Sequence, residues 1–266
     1  MNLRKILATP IRIPRRLLMA AIAALVLAAG ALLLAGAGLP PPRFTLDRDQ
    51  GSVDPISYPR WRTASDWLSQ RKYAVLTFDD GPYGGGVDER ILEVLQRHHA
   101  HALFFLVCSH LTTATSRVPS EIERAGNLVG NHSYDHPHLN QLHAAGLQQQ
   151  IEGCSARLAA LTGHRPCFFR PPFGETSPRV MQAVQSAGMK QVLWDANSED
   201  SWLKHPNQIL YWSLRETGNG SILLMHDSPT TAVVLDRVLT ALEKRGFRFV
   251  LPAQRPSPGC AWSAQT

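Results

Sequence analysis

Polar side chains suited to hydrolytic chemistry recur at short intervals along this sequence. Asp79 and Asp80 follow one apolar run, and His132 and His136 follow another at a spacing of four residues. A catalytic zinc ion typically has three protein ligands, from imidazole nitrogen and carboxylate oxygen, and one open position. Asp80, His132 and His136 therefore form a candidate metal site. Because Pro137 follows directly, the histidines are expected to converge from a loop rather than a helix.

Four further side chains supply an acid–base set for such a metal. Asp79 is the candidate base for an attacking water, and it is expected to point away from Asp80 along the strand end. His226 is the candidate acid that protonates the leaving group. Arg170 is predicted to hold Asp79 ionised, and Asp200 to support the imidazolium of His226. The set predicts metal-assisted hydrolysis of an amide or ester.

The elements that position these residues alternate between apolar runs and helical patterns. About seven β/α units are expected, which indicates an α/β fold with a parallel sheet, open or closed into a barrel. The candidate residues follow the strands, at the end where such folds place their chemistry. Strands are predicted at 73–78, 102–107, 128–131, 168–170, 191–194, 221–225 and 248–251. Helices are predicted at 87–99, 147–161, 207–215 and 231–245, with two more opening at Ser120 and at Ser177-Pro178.

The basic charge of the chain is concentrated at its amino end. The formal net charge is +6, yet residues 1–39 hold five basic and no acidic side chains. The rest of the chain, with 22 basic and 21 acidic residues, is nearly neutral. A nucleic-acid partner is therefore not expected, since phosphate binding needs a basic domain.

An uncharged apolar run occupies residues 17–39, directly after Arg15 and Arg16. At about 1.5 Å per residue it can span a bilayer core of about 30 Å, with its basic end in the cytoplasm. We expect a membrane anchor with the catalytic domain outside the cytoplasm; the alternative is secretion after signal cleavage near Ala35-Gly36-Ala37. The predicted organisation is a leader and anchor (1–39), a Pro-containing stalk (40–72), a catalytic domain (73–252) and a tail (253–266).

Four cysteines accompany this export signal. Export permits disulfides, and the cysteine spacings match no paired C-x-x-C zinc pattern. Three full pairings are open for Cys108, Cys154, Cys167 and Cys260.

The ordered motifs resemble those of the polysaccharide deacetylase family, also called the NodB homology domain or carbohydrate esterase family 4. The resemblance covers roughly residues 73–251 and all five family motifs. The segments of this sequence that resemble the five motifs are, in order, Thr77-Phe78-Asp79-Asp80-Gly81, His132-Ser133-Tyr134-Asp135-His136, Arg170-Pro171-Pro172-Phe173, the segment ending Asp200-Ser201-Trp202, and Leu224-Met225-His226. The fourth motif departs from the family, which usually has Asp directly followed by Trp. Here Ser201 separates Asp200 from Trp202, so either the loop carries one extra residue or Ser201 takes the place of the tryptophan.

The resemblance implies a distorted (β/α)7-type barrel and the acid, base and ligand roles given above. It implies a divalent metal, most often Zn, with Co or Ni as alternatives. It also implies that the backbone N–H near Phe173 helps to hold the oxyanion, and that Leu224 and Trp202 line the pocket for the acetyl methyl group.

The predicted activity is removal of N-acetyl groups from an acetylated aminosugar polymer, such as chitin oligomers, peptidoglycan or poly-N-acetylglucosamine. One alternative is an O-acetyl esterase acting on an acetylated polysaccharide with the same site. The other is a catalytically inactive, glycan-binding envelope protein on the same fold. The presence of base, acid and all three ligands favours an enzyme.

Overall fold

The structure is a computed structural model that describes residues 72–251. The predicted anchor, nearly all of the predicted stalk and the tail from residue 253 lie outside the described residues. Among residues 72–251, no helix combines the length and apolarity that a membrane crossing requires.

A sheet of eight parallel strands forms the centre of the described part. The strands lie in the spatial order β5-β4-β3-β2-β1-β7-β6, and β8 also pairs with β1. Their bounds are β1 Lys72–Gly81, β2 Ala102–Leu106, β3 Leu128–Asn131, β4 Phe168–Phe169, β5 Lys190–Gln191, β6 Ala196–Asn197, β7 Ile222–His226 and β8 Phe247–Phe249. The two edge strands, β5 and β6, are consecutive in the chain. The sheet is thus a curled half-barrel rather than a fully paired barrel.

Seven α-helices accompany the strands in the described part. Their bounds are α1 Val87–Arg97, α2 Val118–Arg124, α3 Ala144–Gln148, α4 Cys154–Thr162, α5 Pro178–Ser186, α6 Pro206–Glu216 and α7 Pro229–Lys244. A π-helical turn, Gln149–Gly153, joins α3 to α4. Short 3₁₀ turns occupy Cys108–His110, Leu139–Gln141 and Pro172–Gly174.

The central strand β1 reads as an apolar run because both of its faces are buried. Leu76 and Phe78 pack in the larger core, together with residues of α1 and α7. Val75 packs in a smaller cluster with Phe105 and Phe168. Burial on both faces places the carboxylates of the strand at its carboxyl end, and the one polar side chain between them and the apolar run, Thr77, is buried and donates to the Leu223 carbonyl oxygen.

Two local predictions are wrong. Ser120 does not open its helix, because α2 begins at Val118 with Pro119 in the first turn, and the Ser120 hydroxyl donates to the Leu161 carbonyl oxygen. The strand predicted at 191–194 ends at Gln191, and the chain resumes pairing only in β6. The predicted Ser177 cap is confirmed, since its hydroxyl oxygen accepts the Val180 N–H.

One cysteine pairing is defined within the described residues. Cys108 and Cys154 form a disulfide that joins the turn after β2 to the start of α4. The Cys108 turn lies beside the site, because His110 Nδ1 is 2.8 Å from the carbonyl oxygen of Asp80.

Candidate active site

The carboxyl end of β1 places two adjacent carboxylates beside the same imidazole. Asp79 Oδ2 and Asp80 Oδ1 lie 3.6 and 3.5 Å from Nε2 of His132. The expectation that Asp79 points away from Asp80 is therefore wrong. Side chains alternate along a regular strand, but Asp80 has a left-handed φ of 69°, and the register with β2 shifts after Asp79. Both changes end the alternation at Asp80.

Three potential metal ligands converge at this point. Ligand atoms of Asp80, His132 and His136 all lie within 4.8 Å of one another. His136 Nε2 is 3.4 Å from Asp80 Oδ1, and this buried oxygen has no hydrogen-bond partner among the described residues. One carboxylate and two imidazoles match the donor set of a catalytic zinc site. These residues therefore fit the metal that the sequence predicts.

The two imidazoles come from a loop after β3, as Pro137 indicates, and the loop is held by hydrogen bonds. His132 Nδ1 donates to the Arg170 carbonyl oxygen at 2.7 Å, which leaves Nε2 unprotonated and facing the carboxylates. Burial lowers the pKa of His132 to about 3, so its ring is neutral, as a ligand must be. His136, with φ 61°, is tied by its N–H to the Ser133 hydroxyl at 3.0 Å.

Arg170 follows β4 and is completely buried beside Asp79. Its Nη1 donates to Asp79 Oδ1 at 2.7 Å and to Thr77 Oγ1 at 2.8 Å. Its other groups donate to the carbonyl oxygens of Val192 and Leu193. Burial raises the pKa of Asp79, and the charge of Arg170 opposes that rise. The predicted contact between Arg170 and Asp79 is confirmed. The hydrogen bond from Arg170 to the Thr77 hydroxyl is not predicted from the sequence.

His226 is the last residue of β7 and lies level with Asp79 in the parallel ladder. Its Nδ1 donates to Asp200 Oδ1 at 2.7 Å, while Asp200 Oδ2 accepts the His226 backbone N–H and the Thr231 hydroxyl. Burial opposes the charge on His226, but the hydrogen bond and charge of Asp200, together with the charges of Asp79 and Asp80, outweigh it and raise the pKa of His226 to about 9. His226 is therefore protonated at neutral pH. Thr231 lies in α7, and no local sequence signal links it to Asp200.

A cavity of about 640 Å³ lies on the Asp80 and His226 side of the site, and its lining does not include Asp79, His132 or His136. Its lining includes Asp80, Asp200, Ser201 and His226 but not Trp202. The pocket role predicted for Trp202 is not supported, because its side chain is 64% exposed and its indole N–H donates to Glu199 Oε2 at 2.6 Å. Ser201, which stands between Asp200 and Trp202, lines the cavity instead.

The other two residues predicted to bind substrate, Leu224 and Phe173, both lie outside the cavity lining. Leu224 is buried within β7 and is not part of the cavity lining. Phe173 lies on the turn after Arg170 with a left-handed φ of 59°. Its ring stacks on His138 at 4.3 Å and meets His136 edge-on at 4.6 Å. The turn that is predicted to supply an N–H for the oxyanion is thus in contact with the loop that carries His136 and His138.

The site contains the parts of a hydrolytic centre in mutual reach. Asp79 and His226 flank the candidate metal ligands from neighbouring strands, each held by a buried partner, Arg170 or Asp200. A group that donates a proton and a group that accepts one thus lie beside the same cation site.

Comparisons with known proteins agree with this geometry. Residues 69–192 match the family described as Polysaccharide deacetylase. Over 180 residues the chain is 34% identical to the Peptidoglycan-N-acetylglucosamine deacetylase PgdA of Listeria monocytogenes. That match covers 67% of this chain and 38% of the Listeria protein, so the chain spans well under half of that relative.

Solved structures give the same fold. The family 4 carbohydrate esterase from Streptomyces lividans in complex with acetate is 31% identical, with a TM-score of 0.63, over 68% of this chain and 92% of that one. A family 4 pseudoenzyme from Bacillus anthracis is 28% identical, with a TM-score of 0.63, over 68% of this chain and 64% of that one. The motifs, the fold and these matches together place the chain in the polysaccharide deacetylase family, carbohydrate esterase family 4.

Proposed function

We propose that this protein is a metal-dependent deacetylase that hydrolyses N-acetyl groups on an aminosugar polysaccharide. The observation that carries the proposal is the level placement of Asp79 and His226 on β1 and β7 beside the Asp80–His132–His136 cluster. Each of these two residues is held by a buried partner of opposite charge. A site that keeps both its acid and its base intact favours catalysis over glycan binding alone.

The metal contributes electrophilic chemistry. A divalent ion held by Asp80, His132 and His136 would polarise the acetyl carbonyl and lower the pKa of the attacking water. Zinc suits this mixed nitrogen and oxygen set best, and Co or Ni can take the same ligands.

Asp79 acts as the base in this proposal. Its Oδ1 is engaged by Arg170, which leaves Oδ2 on the side of the ligand cluster to accept a proton from the water. Burial raises the pKa of Asp79, and the buried guanidinium of Arg170 opposes that rise and so favours the ionised form that a base requires. The turn at Phe173 is proposed to supply an N–H for the developing oxyanion.

His226 acts as the acid. With Nδ1 bound to Asp200, its Nε2–H is the proton available to the leaving amine nitrogen when the C–N bond breaks. The products are acetate and a free amino group on the sugar.

The substrate class is proposed from the relatives and from the charge of the domain. The Listeria relative is named for N-acetylglucosamine of peptidoglycan, and the Streptomyces esterase holds acetate. The nearly neutral charge outside residues 1–39 suits an uncharged or weakly charged glycan better than a phosphate polymer.

Export across the membrane is part of the proposal. The apolar run at 17–39 follows a basic leader, and the Cys108–Cys154 disulfide suits an oxidising compartment. Anchoring by the uncleaved run stays a prediction.

The proposal is tested by acetate release from a panel of substrates. The metal-loaded full chain would be assayed on chitin oligomers, peptidoglycan and poly-N-acetylglucosamine, with O-acetylated xylan in parallel. We expect release from at least one N-acetylated polymer and a much lower rate on xylan. Release from xylan alone would identify an O-acetyl esterase. Sugar binding with no acetate release from any substrate would identify an inactive relative.

A further inference from the structure

Asp227 is a buried acid that the proposed mechanism does not use. It follows His226, and its backbone N–H donates to the Asp79 carbonyl oxygen at 2.8 Å. Only 2% of the residue is exposed, and no N–H or O–H group among the described residues donates a hydrogen bond to either carboxylate oxygen. An isolated buried carboxylate is so unfavourable that such a group ordinarily takes up a proton.

The surroundings of Asp227 are predominantly acidic. Burial raises the pKa of Asp227 well above its ordinary value, and the negative charges of Asp88, Glu89 and Asp80 raise it further. The cationic groups nearby are Lys204 and protonated His226, which line the same cavity, and the amino end of α7, which follows Asp227.

Close packing fixes the Asp227 carboxyl group beside β1. A Cβ atom at Gly81 would lie 2.5 Å from Asp227 Oδ2, so only glycine leaves room for this group.

Asp88, in the first turn of α1, is the partner within hydrogen-bonding reach of Asp227. Asp88 is itself buried, but its oxygens accept the Tyr83 N–H at 3.1 Å and the Gly84 N–H at 2.6 Å. Two carboxyl groups can share a hydrogen bond only when one carries a proton. Because Asp88 has N–H donors and Asp227 has none, Asp227 is the one expected to be protonated.

The two N–H groups bound by Asp88 belong to residues 82–86, which form one wall of the cavity beside Asp80 and His226. Pro82, Tyr83, Gly84 and Gly85 line the cavity together with Asp200 and His226. All three glycines at 84–86 have left-handed φ angles, between 60° and 83°. A glycine run has little conformational preference of its own, so its path depends on hydrogen bonds: those to Asp88 at its start, and those that the Gly84 and Gly86 carbonyl oxygens accept from the N–H groups of Val87 and Arg90.

We propose that Asp227 is a positioning residue that remains a neutral carboxyl group, donates its proton to the Asp88 carboxylate, and thereby fixes the wall at residues 82–86. The expected effect of Asp227 on turnover rests on the proposed deacetylase function. The protonation of Asp227 is independent of that function, and a measurement of stability against pH tests it separately.

The test compares Asp227→Asn and Asp227→Ala in the metal-loaded full chain, with the exposed Asp236→Asn as a matched control. An amide N–H can replace the carboxyl proton, so kcat/KM of Asp227→Asn should stay within about threefold of wild type. Alanine removes the proposed proton donor to Asp88. The kcat/KM of Asp227→Ala should therefore fall at least about tenfold, which corresponds to one lost charge-assisted hydrogen bond.

The dependence of Tm on pH gives the independent readout. A folded-state pKa above the unfolded value of about 3.9 makes wild type lose stability as pH rises between those two values. The amide introduced by Asp227→Asn cannot titrate, so the Tm of this variant minus that of wild type should increase with pH over that interval. The control should show no such increase, because Arg97 and His98 lower the pKa of Asp236.

Two outcomes would overturn the proposal. One is a Tm difference that does not grow with pH, which means that Asp227 is ionised in the folded protein. The other is an Asn variant as impaired as the Ala variant. If Asp227→Ala does not fold, the comparison of Asp227→Asn with wild type decides alone. If even wild type releases no acetate, the proposed function fails, while the Tm comparison still decides the protonation of Asp227.

Discussion

Replacing Asp79 with Asn is expected to lower kcat by about 10²–10⁴-fold, the usual contribution of a general base. An amide oxygen can still accept from Arg170, but the side chain can no longer take a proton from water. Asp80, His132 and His136 are unchanged, so the variant should bind metal as wild type does. Acetate release at saturating substrate and metal content per chain are the two measurements.

This variant also carries a stability cost that the assay must accommodate. Removing the Asp79 charge leaves the buried Arg170 without its counter-ion, and such a loss typically costs about 3–5 kcal/mol. Acetate release should therefore be measured well below the Tm of the variant, with Asp236→Asn as the surface control. A folded, metal-loaded Asp79→Asn protein with kcat within tenfold of wild type would remove Asp79 from the role of base.

Replacing Asp200 with Asn is expected to lower turnover strongly, by about 10²-fold or more, and to change its pH dependence. Asp200 Oδ2 accepts two donors, the His226 N–H and the Thr231 hydroxyl, so an NH₂ group at that position would face both of them. If the amide flips, its NH₂ faces the His226 ring instead. Either orientation breaks part of the arrangement that holds the acid.

The pH effect has a defined sign. Asp200 holds the pKa of His226 at about 9 against burial, so the variant should have a lower His226 pKa. The acid then loses its proton at lower pH, and the alkaline limb of kcat/KM should move to lower pH. In wild type, stabilisation of protonated His226 is full below about pH 6.5 and is lost as pH rises towards 9. An unmoved alkaline limb with near wild-type turnover would exclude Asp200 from the mechanism.

The positions of the candidate residues are largely predictable because the strands are. Apolar runs buried on both faces of the sheet predict β1, β2 and β7, and polar residues directly after such runs must meet at one edge. The His132 loop is predictable for a local reason, since Pro137 prevents a helix. These features depend on short segments whose conformation their own residues determine.

Other features depend on contacts that local sequence does not encode. The left-handed backbone at Asp80 brings it to the same side as Asp79, against the ordinary alternation of a strand. Thr231 reaches Asp200 from a helix 31 residues later. The presence of Ser201 between Asp200 and Trp202 leaves two alternatives open in the sequence, and only the surrounding structure shows that Ser201 lines the cavity.

Metal content and acetate release measured together on the same samples test the central claim most directly. The full chain would be treated with a strong chelator, then titrated with Zn²⁺ or Co²⁺ and assayed on the best N-acetylated polymer. His136→Ala removes a predicted ligand, and His138→Ala removes a neighbouring exposed imidazole as the matched control. We predict that chelation abolishes acetate release and that one metal equivalent per chain restores it. Tight metal binding should be lost in His136→Ala and kept in His138→Ala. Full acetate release by metal-free protein would contradict the account.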